Sequence, residues 1–221
     1  MTTLYQFEHS PFCIPVVAIF KALGTPLKIV NTPYADRSEI INLTKGAYYQ
    51  APVLVDGKKT VFESTPESQD VARYIDAKFA GARLFPEALD GIQSLVISYL
   101  ENDVEDVTFR LSDPKFIDSV KSIADRGMII RHKERKFGRG CVGEWKKQAP
   151  ELRKKAEQIL SPLDQMLNHT PFLLGETPVY ADYLLLGIIG NLTYRGYNTI
   201  PARLTALKAW EKRISIFRYK N

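Results

Sequence analysis

The order of the predicted secondary structure changes near residue 80, and this change constrains the fold more than any other feature. Before it, strand and helix patterns alternate; after it, from about residue 89, only helical periodicity is found. The alternation predicts a small mixed sheet with helices packed on it, and the second pattern predicts a helical bundle. We therefore predict an α/β domain at residues 1–79, a linker at 80–88 and an all-helical domain at 89–221.

The first domain is predicted to run β-α-β-α-β-β-α. Its first helix ends at Gly24, a residue type common just after helices, and Asp56-Gly57 predicts a tight turn between two paired strands. The predicted strands are 3–7, 27–31, 51–55 and 59–62, and the predicted helices are 14–23, 38–43 and 66–79.

The second domain is predicted to contain five helices. We expect Pro114 to open one of them, because proline suits the first turn of a helix and disrupts its interior. The predicted helices are 92–111, 114–137, 151–167, 181–191 and 202–216.

Composition excludes several classes of protein. With 45% hydrophobic and 25% charged residues, the 221-residue chain is unlike a disordered one. It has no apolar run of the ~18 residues that a membrane span needs, and its first residues lack the pattern of a secretory signal. Cys13 and Cys141 are too few for a secreted disulfide scaffold, and Cys and His show no metal-ligand spacing. We expect a cytoplasmic protein with no metal and no membrane segment.

The formal net charge of +5 comes from the second part of the chain, since residues 1–78 are neutral. Most of it lies in the basic stretch 131–155, with ten Lys or Arg and three Asp or Glu. Such a stretch can be a solvated helix face, a nucleic-acid contact or a basic rim that attracts anionic small molecules into a cleft. We expect no nucleic-acid binding.

A first candidate site is Ser10-Pro11-Phe12-Cys13, between the first strand and the first helix. The N-terminus of a helix stabilises an anion such as a thiolate, and a hydroxyl there lowers the pKa of a bound thiol by donating a hydrogen bond. Cys13 could itself be a nucleophile that forms a mixed disulfide. Alternatively, Ser10 only caps the helix and Cys13 is a small core residue.

Two further candidates flank the third and fourth strands. Pro52 follows Gln50 and Ala51 at a strand start, and a cis bond there would leave the main chain of the preceding residue free to pair with an extended ligand. Glu67 and Ser68 begin the last helix of the domain, where they could serve the helix end or bind an amino-acid-like group.

Taken together, these motifs resemble the glutathione S-transferase superfamily in their order and spacing. S-P-F-C (10–13) is similar to the segment that presents the activating serine or cysteine, and Q-A-P-V-L (50–54) to the segment whose proline is cis. E-S-Q-D-V-A-R-Y-I (67–75) resembles the segment that holds the γ-glutamyl group of glutathione. F-L-L-G-E-T-P-V-Y-A-D (172–182) resembles the family segment in which an Asp near the start of a buried helix supports folding. The resemblance implies a thioredoxin-like N-terminal domain and an all-helical C-terminal one.

Three departures from the family pattern affect the predicted site. E-S also occurs at Glu63-Ser64; the helical spacing favours Glu67, and Glu63 is kept as the second candidate. Pro15 suggests that the first helix begins near Cys13 and leaves Ser10 in the preceding loop. Val179 replaces the usual Ser or Thr before the A-D of the helical domain, so we expect Asp182 to pair with free N–H groups alone.

The resemblance implies a glutathione transferase. Glutathione would be the cosubstrate, bound by Phe12, Gln50, Ala51, Pro52, Glu67 and Ser68. Ser10 is the preferred activating group, Cys13 the second and Tyr5 a minor third. The thiolate would attack a small hydrophobic electrophile in a pocket for which we name Tyr99, Phe109 and Arg110.

Other functions remain open at this point. The chain could be a glutathione-dependent thiol–disulfide oxidoreductase that uses Cys13, a related lyase or dehalogenase, or a non-enzymatic adaptor with the same fold. The family also implies a homodimer and a role in detoxification. Cys141 is expected to be a packed or surface thiol and not a second active centre.

Overall fold

The structure is a computed structural model that describes residues 1–65 and 69–219. A four-stranded sheet lies in its N-terminal part, in the strand order β2-β1-β3-β4. β1 runs parallel to β2 and antiparallel to β3, which in turn pairs antiparallel with β4. The strands are β1 (Thr2–Gln6), β2 (Leu27–Asn31), β3 (Val53–Asp56) and β4 (Lys59–Phe62).

Three helices accompany this sheet, which confirms the predicted thioredoxin-like arrangement. Cys13 caps the first helix and Pro15 occupies its second position, as the sequence predicted. Leu4 of β1 and Leu54 of β3 are fully buried in one hydrophobic core with the first helix. The helices are α1 (Ile14–Ala22), α2 (Ser38–Leu43) and α3 (Asp70–Ile75), and a π-helical turn, Asp76–Ala80, extends α3.

The rest of the described chain is helical, as predicted. Two short 3-10 turns, Glu87–Leu89 and Tyr194–Gly196, accompany the longer helices. These are α4 (Asp90–Tyr99), α5 (Glu105–Ser119), α6 (Ile123–Phe137), α7 (Cys141–Lys147), α8 (Ala149–His169), α9 (Tyr180–Leu192) and α10 (Thr205–Ile216). The domain limits at 79, 80, 88 and 89 stay a prediction.

The connection between the two parts is held by hydrogen bonds to the main-chain groups of Leu84 and Phe85. The buried carboxylate of Asp76 accepts the N–H groups of Leu84 and Phe85. The Leu84 carbonyl accepts from Tyr180 N at 2.9 Å and from Gln93 Nε2 at 3.1 Å. The residues after α3 are therefore fixed against the helical part.

The expectation that Pro114 opens a helix is wrong. Pro114 lies inside α5, which continues from α4 through a π-helical turn at Leu100–Val104. Phe116 and Ile117 are buried beyond it, so packing favours continuation of the helix past the proline. Helix α5 ends at Ser119, and Ser122 then caps α6 by accepting the main-chain N–H of Asp125.

Asp182 is fully buried in the centre of the helical part. One carboxylate oxygen accepts the main-chain N–H of Val179 at 3.1 Å, and the other accepts Leu173 N at 2.9 Å and the indole N–H of Trp210 at 3.0 Å. The expectation that Asp182 pairs with free N–H groups alone was therefore incomplete. Its carboxylate joins the start of α9, the preceding loop and α10.

In the described part of the chain, no helix combines the length and the apolar character that crossing a bilayer requires.

Candidate functional site

A cleft of about 440 Å³ lies between the thioredoxin-like part and the helical part. One wall is built by the loop before α1, the loop after β2 and the segment before β3. The other wall is built by the π-helical turn Leu100–Val104, α5, α6 and α9. Clefts between two domains are common sites for small molecules.

Ser10 lies in the loop between β1 and α1 and lines the cleft. The loop turns back on itself, since Ser10 N donates to the Phe7 carbonyl at 2.9 Å and the Ser10 carbonyl accepts Cys13 N and Ile14 N at 3.1 Å each. Among the residues that the structure describes, the hydroxyl oxygen accepts one long bond, 3.3 Å, from Phe12 N. Ser10 therefore sits at the N-terminus of α1, where its hydroxyl proton can be donated to an anion.

Helix α9 holds this loop from the opposite side. A Cβ atom added at Gly187 would lie 2.0 Å from the main-chain oxygen of Pro11 and 2.7 Å from Cγ of Pro15. Asn191, one turn later, donates to the His9 carbonyl at 2.8 Å and accepts from Ser112 at 2.7 Å. The loop can approach α9 this closely only because residue 187 has no side chain.

Cys13 is fully buried and lies outside the cleft lining that the structure describes. Burial raises the pKa of its thiol to about 11, although a hydrogen bond with the Ser10 side chain acts in the opposite direction. A thiol with this pKa is almost wholly protonated near neutral pH, so it is a poor nucleophile. Tyr5, the minor third candidate, is also absent from the described lining.

The segment before β3 forms the cleft edge beside Ser10. The Ala51–Pro52 bond is cis, as the family resemblance implied. Gln50, Ala51 and Pro52 line the cleft and lie just ahead of the paired residues of β3. Arg37 also lines it and donates to Tyr49 O at 3.1 Å and to Gln50 Oε1 at 2.7 Å. The structure thus brings Ser10, Phe12 and this segment into one cleft, and adds Arg37.

Glu63, the second candidate for the γ-glutamyl group, lies in the cleft. Its Oε2 accepts the main-chain N–H of Asp70 at 2.7 Å, at the start of α3. Burial raises the pKa of its carboxyl to about 7 despite this bond. The preferred candidates, Glu67 and Ser68, lie outside the described residues.

The helical wall contains more charge than a hydrophobic pocket would. Glu101, Glu105, Phe109 and Asp113 follow one another at intervals of four residues and all line the cleft. Burial is the main reason that the pKa values of Glu101 and Glu105 are raised to about 7. Asp113 is buried and paired with Lys133 of α6.

Two of the three residues named for the pocket lie elsewhere. Tyr99 is not in the described cleft lining, and its hydroxyl donates to the Ile159 carbonyl on α8. Arg110 is also absent from that lining and pairs with Asp106 at 2.7 Å along the same helix. Only Phe109 of the three reaches the cleft. Glu101 and Glu105 line the cleft where Tyr99 and Arg110 were expected, which corrects the predicted pocket.

Part of the basic stretch 131–155 faces the cleft. His132, Lys133 and Lys136 of α6 line it, and the nearby cations lower the pKa of His132 to about 4, with burial as the larger cause. Asp125 of the same helix accepts the N–H of Ala35 at 2.7 Å, which joins α6 to the thioredoxin-like wall. Three residues of the stretch thus line the cleft, and its interpretation as a basic rim that attracts anionic molecules stays a prediction.

His9 and Tyr34 also line the cleft and were not predicted from the sequence. His9 stacks on Phe116 at 3.6 Å between ring centroids, and its Nδ1 lies 2.6 Å from the hydroxyl of Tyr34. Burial, with a contribution from Lys133, lowers the pKa of His9 to about 3, so the ring is neutral near pH 7. The position of His9 directly before Ser10 was the only available signal.

Within residues 1–65 and 69–219, no group of three His, Cys, Asp or Glu side chains is arranged to hold a metal ion.

The fold and this cleft define a two-domain protein of the thioredoxin-like class. The family model "Glutathione S-transferase, N-terminal domain" matches residues 4–83, and "Glutathione S-transferase, C-terminal domain" matches residues 135–216. The chain therefore belongs to the glutathione S-transferase family. A search of curated proteins found no match.

Solved structures with the same fold include fungal and bacterial proteins. Glutathione transferase GSTFuA3 from Phanerochaete chrysosporium is 14% identical, with a TM-score of 0.81, and the match covers 100% of this chain and 98% of that one. CsGST63524 of Ceriporiopsis subvermispora, in complex with glutathione, is 16% identical, with a TM-score of 0.79 and coverage of 98% and 96%. Glutaredoxin 2 from Salmonella typhimurium, also in complex with glutathione, is 22% identical, with a TM-score of 0.75 and coverage of 97% and 93%. At these identities the likeness shows the fold.

Proposed function

We propose that the protein is a glutathione transferase that ionises the thiol of glutathione beside Ser10. The observation that carries this proposal is that Ser10, the Ala51–Pro52 edge and Glu63 line one cleft between the two domains. Family membership and the glutathione found in two structures of the same fold support it.

The proposed ligand position follows from the polar groups of the thioredoxin-like wall. Glutathione lies extended along Gln50, Ala51 and Pro52, with its γ-glutamyl end toward Glu63 and its sulfur toward Ser10. Arg37, which lies beside Gln50, is placed to attract the glycyl carboxylate. Glu67 and Ser68 stay the alternative partners of the γ-glutamyl group predicted from the sequence.

Ser10 acts by stabilising an anion and not as a covalent nucleophile. Its hydroxyl donates a hydrogen bond to the sulfur, which favours the thiolate and lowers the thiol pKa. The partial positive charge at the N-terminus of α1 acts in the same direction. The thiolate then attacks an electrophilic carbon of a hydrophobic cosubstrate beside Phe12, Phe109 and Phe137, and the leaving group departs with the bonding electrons.

The burial of Cys13 argues against the oxidoreductase alternative. Its thiol has no place in the described cleft lining, and its raised pKa removes the thiolate that disulfide exchange needs. Cys13 is then a core residue beneath the catalytic loop. The homodimer, the cytoplasmic location and the role in detoxification stay predictions from the family.

Calorimetric titration with glutathione and a conjugation assay with 1-chloro-2,4-dinitrobenzene test the proposal together. Ser10→Ala should bind glutathione nearly as well as the wild type and lose roughly a hundred- to a thousandfold in kcat, as is usual when one donor to a developing anion is removed. Cys13→Ala is the matched control and should keep most of the activity. If Cys13→Ala is inactive while Ser10→Ala is active, Cys13 is the reactive group. No glutathione binding by the wild type would favour an adaptor.

A further inference from the structure

A second cavity, of about 460 Å³, lies in the helical part of the protein. It is bordered by α5, by the first half of α8 and by residues 192–202, which begin at the end of α9. Its described lining has no residue in common with the described lining of the cleft. The volume is typical of a small-molecule site, and the proposed transferase reaction does not use this space.

The floor of the second cavity is apolar. Leu111 of α5, Ala156 of α8 and Leu192 are buried and line it. Tyr197 and Pro201, which are partly buried, add further apolar surface from the segment after α9. A ligand in this cavity can therefore place a hydrophobic body against these side chains.

Three cationic side chains line the same cavity, and the sequence places them beside the apolar floor. Lys115 lies one turn after Leu111 on α5, and Arg153 lies three residues before Ala156 on α8. Arg153 and its neighbour Lys154 are exposed, so they stand at the rim. Neither forms an ion pair with a described residue.

Negative charge does not balance these cations. Within the described lining, Glu157 of α8 is the single carboxylate, and it is paired with Arg203 outside the cavity. Arg153 and Lys154 belong to the basic stretch 131–155, whose cleft-facing residues lie on α6. The second cavity therefore carries an excess of positive charge that is separate from the cations of the cleft.

Lys115 is a half-buried ammonium group without a carboxylate partner. Its Nζ donates to the main-chain carbonyl of Tyr197 and to Asn198 Oδ1 at 3.0 Å, and it forms no ion pair with any described residue. Burial, and then the charge of Arg153, lowers the pKa of Lys115. These two bonds leave one of its three N–H donors for a ligand. Since buried charges are normally paired, this position favours an anion.

The number and the type of the donors favour phosphate over carboxylate. A phosphate monoester carries about 1.5 to 2 negative charges near pH 7 and has three strong acceptor oxygens. The guanidinium of Arg153 can bind two of these oxygens at once, and Thr199 adds a hydroxyl to the lining. A carboxylate, with a single charge, would leave most of the positive charge uncompensated.

We propose that this second cavity binds the terminal phosphate of a small-molecule phosphate monoester, between Lys115 of α5 and Arg153 and Lys154 of α8. The apolar body of the ligand lies on Leu111 and Leu192. The site is separate from the cleft and does not depend on the proposed transferase activity.

The test compares two ligands that share a phenyl ring. Phenyl phosphate is a monoester and carries nearly two charges slightly above neutral pH, whereas methyl phenyl phosphate is a diester with one charge. In phosphorus NMR titrations without phosphate buffer, the wild type should bind the monoester about tenfold more tightly, since one further charged hydrogen bond is worth a factor of this order. Equal affinities would overturn the inference and would favour a diester such as a nucleic-acid backbone.

Arg153→Gln is the decisive variant, because Arg153 is exposed and has no described ion pair to lose. It should bind phenyl phosphate about three- to tenfold more weakly than the wild type. Lys155→Gln is the matched control: it removes the same charge from α8, and Lys155 is absent from the described lining. It should change the affinity less than twofold. Equal losses in the two variants would show attraction by overall charge and would overturn the inference.

Two further variants locate the bound phosphate. Lys115→Gln should weaken binding of phenyl phosphate about tenfold, with circular dichroism as the check of its fold, because Lys115 also holds the segment after α9. If that variant unfolds, Arg153→Gln decides the question. Lys136→Gln, at a cation of the cleft, should leave the affinity unchanged. A loss in Lys136→Gln without one in Arg153→Gln would place the phosphate in the cleft. That result, or no binding of phenyl phosphate by the wild type, would refute the inference and leave the transferase proposal intact.

Discussion

The close approach of α9 to the loop that carries Ser10 makes Gly187 sensitive to substitution, although Gly187 lies outside the described cleft lining. In Gly187→Ala, the new Cβ would meet the Pro11 carbonyl oxygen at 2.0 Å and Cδ of Pro15 at 2.8 Å. Ordinary contacts between carbon atoms are about 3.5–4.0 Å, so α9 and the loop must separate by about 1 Å or more. Neither obstacle is the end of a flexible side chain, because one is main chain and the other is a proline ring.

Two opposing terms set the expected loss of stability. Overpacking of this kind costs about 1–3 kcal/mol, and alanine in a helix interior returns up to about 1 kcal/mol relative to glycine. We expect Gly187→Ala to lower the free energy of unfolding by about 1–2 kcal/mol, or the melting temperature by roughly 2–8 °C. Activity should fall much further, by about a hundredfold in kcat/KM, because a 1 Å displacement moves Ser10 away from the sulfur.

Gly190→Ala is the control for this experiment. It is the same substitution one turn later in α9, and its Cβ would lie 3.1 Å from Cδ1 of Ile14, the movable end of a side chain. It should leave stability within about 1 kcal/mol and kcat/KM within about threefold. Denaturant unfolding and initial rates with 1-chloro-2,4-dinitrobenzene measure both variants. If Gly187→Ala behaves like Gly190→Ala, α9 does not position the loop.

Two further predictions concern stability. Asp182→Ala leaves three buried N–H donors without an acceptor. We therefore expect the free energy of unfolding to fall by about 3 kcal/mol or more, measured by urea unfolding followed by tryptophan fluorescence. A fall below about 1 kcal/mol would contradict the hydrogen bonds described for Asp182. His9→Phe tests the pH dependence: the pKa of His9 is about 3 in the folded protein and about 6.5 when unfolded, so the stabilisation from its neutral ring is complete above pH 6.5 and is lost as the pH falls toward 3. Between pH 7 and pH 4.5 the wild type should therefore lose about 2–3 kcal/mol relative to His9→Phe. A difference between the two proteins that is independent of pH would show that folding leaves the pKa of His9 unchanged and would refute the prediction.

The N-terminal part of the fold could be predicted because its signals are local. The turn at Asp56-Gly57, the proline near the start of α1 and the helix end at Gly24 each act over a few residues. The same holds for the loop that carries Ser10, since Pro15 fixes where α1 begins. The cis bond at Pro52 came from the family resemblance and not from local sequence.

The helical wall of the cleft could not be predicted because its helix is irregular. The π-helical turn Leu100–Val104 shifts every later residue relative to a regular helix of 3.6 residues per turn. Tyr99 and Arg110 were named for the pocket from helix position alone, and Glu101 and Glu105, which line the cleft, were not named. Burial beyond Pro114 likewise depends on tertiary packing, which overrides the local preference of proline.

The contacts made by Gly187 and Asn191 bear on how chimaeras of this family should be designed. The shape of the loop that carries Ser10 is set partly by α9, about 180 residues later in the sequence, through the Pro11 contact and the bond to His9. A hybrid joined between the domains would inherit the loop that carries Ser10 from one parent and the helix surface that shapes this loop from the other. Exchanging α9 together with residues 1–79 keeps the two complementary surfaces from the same parent.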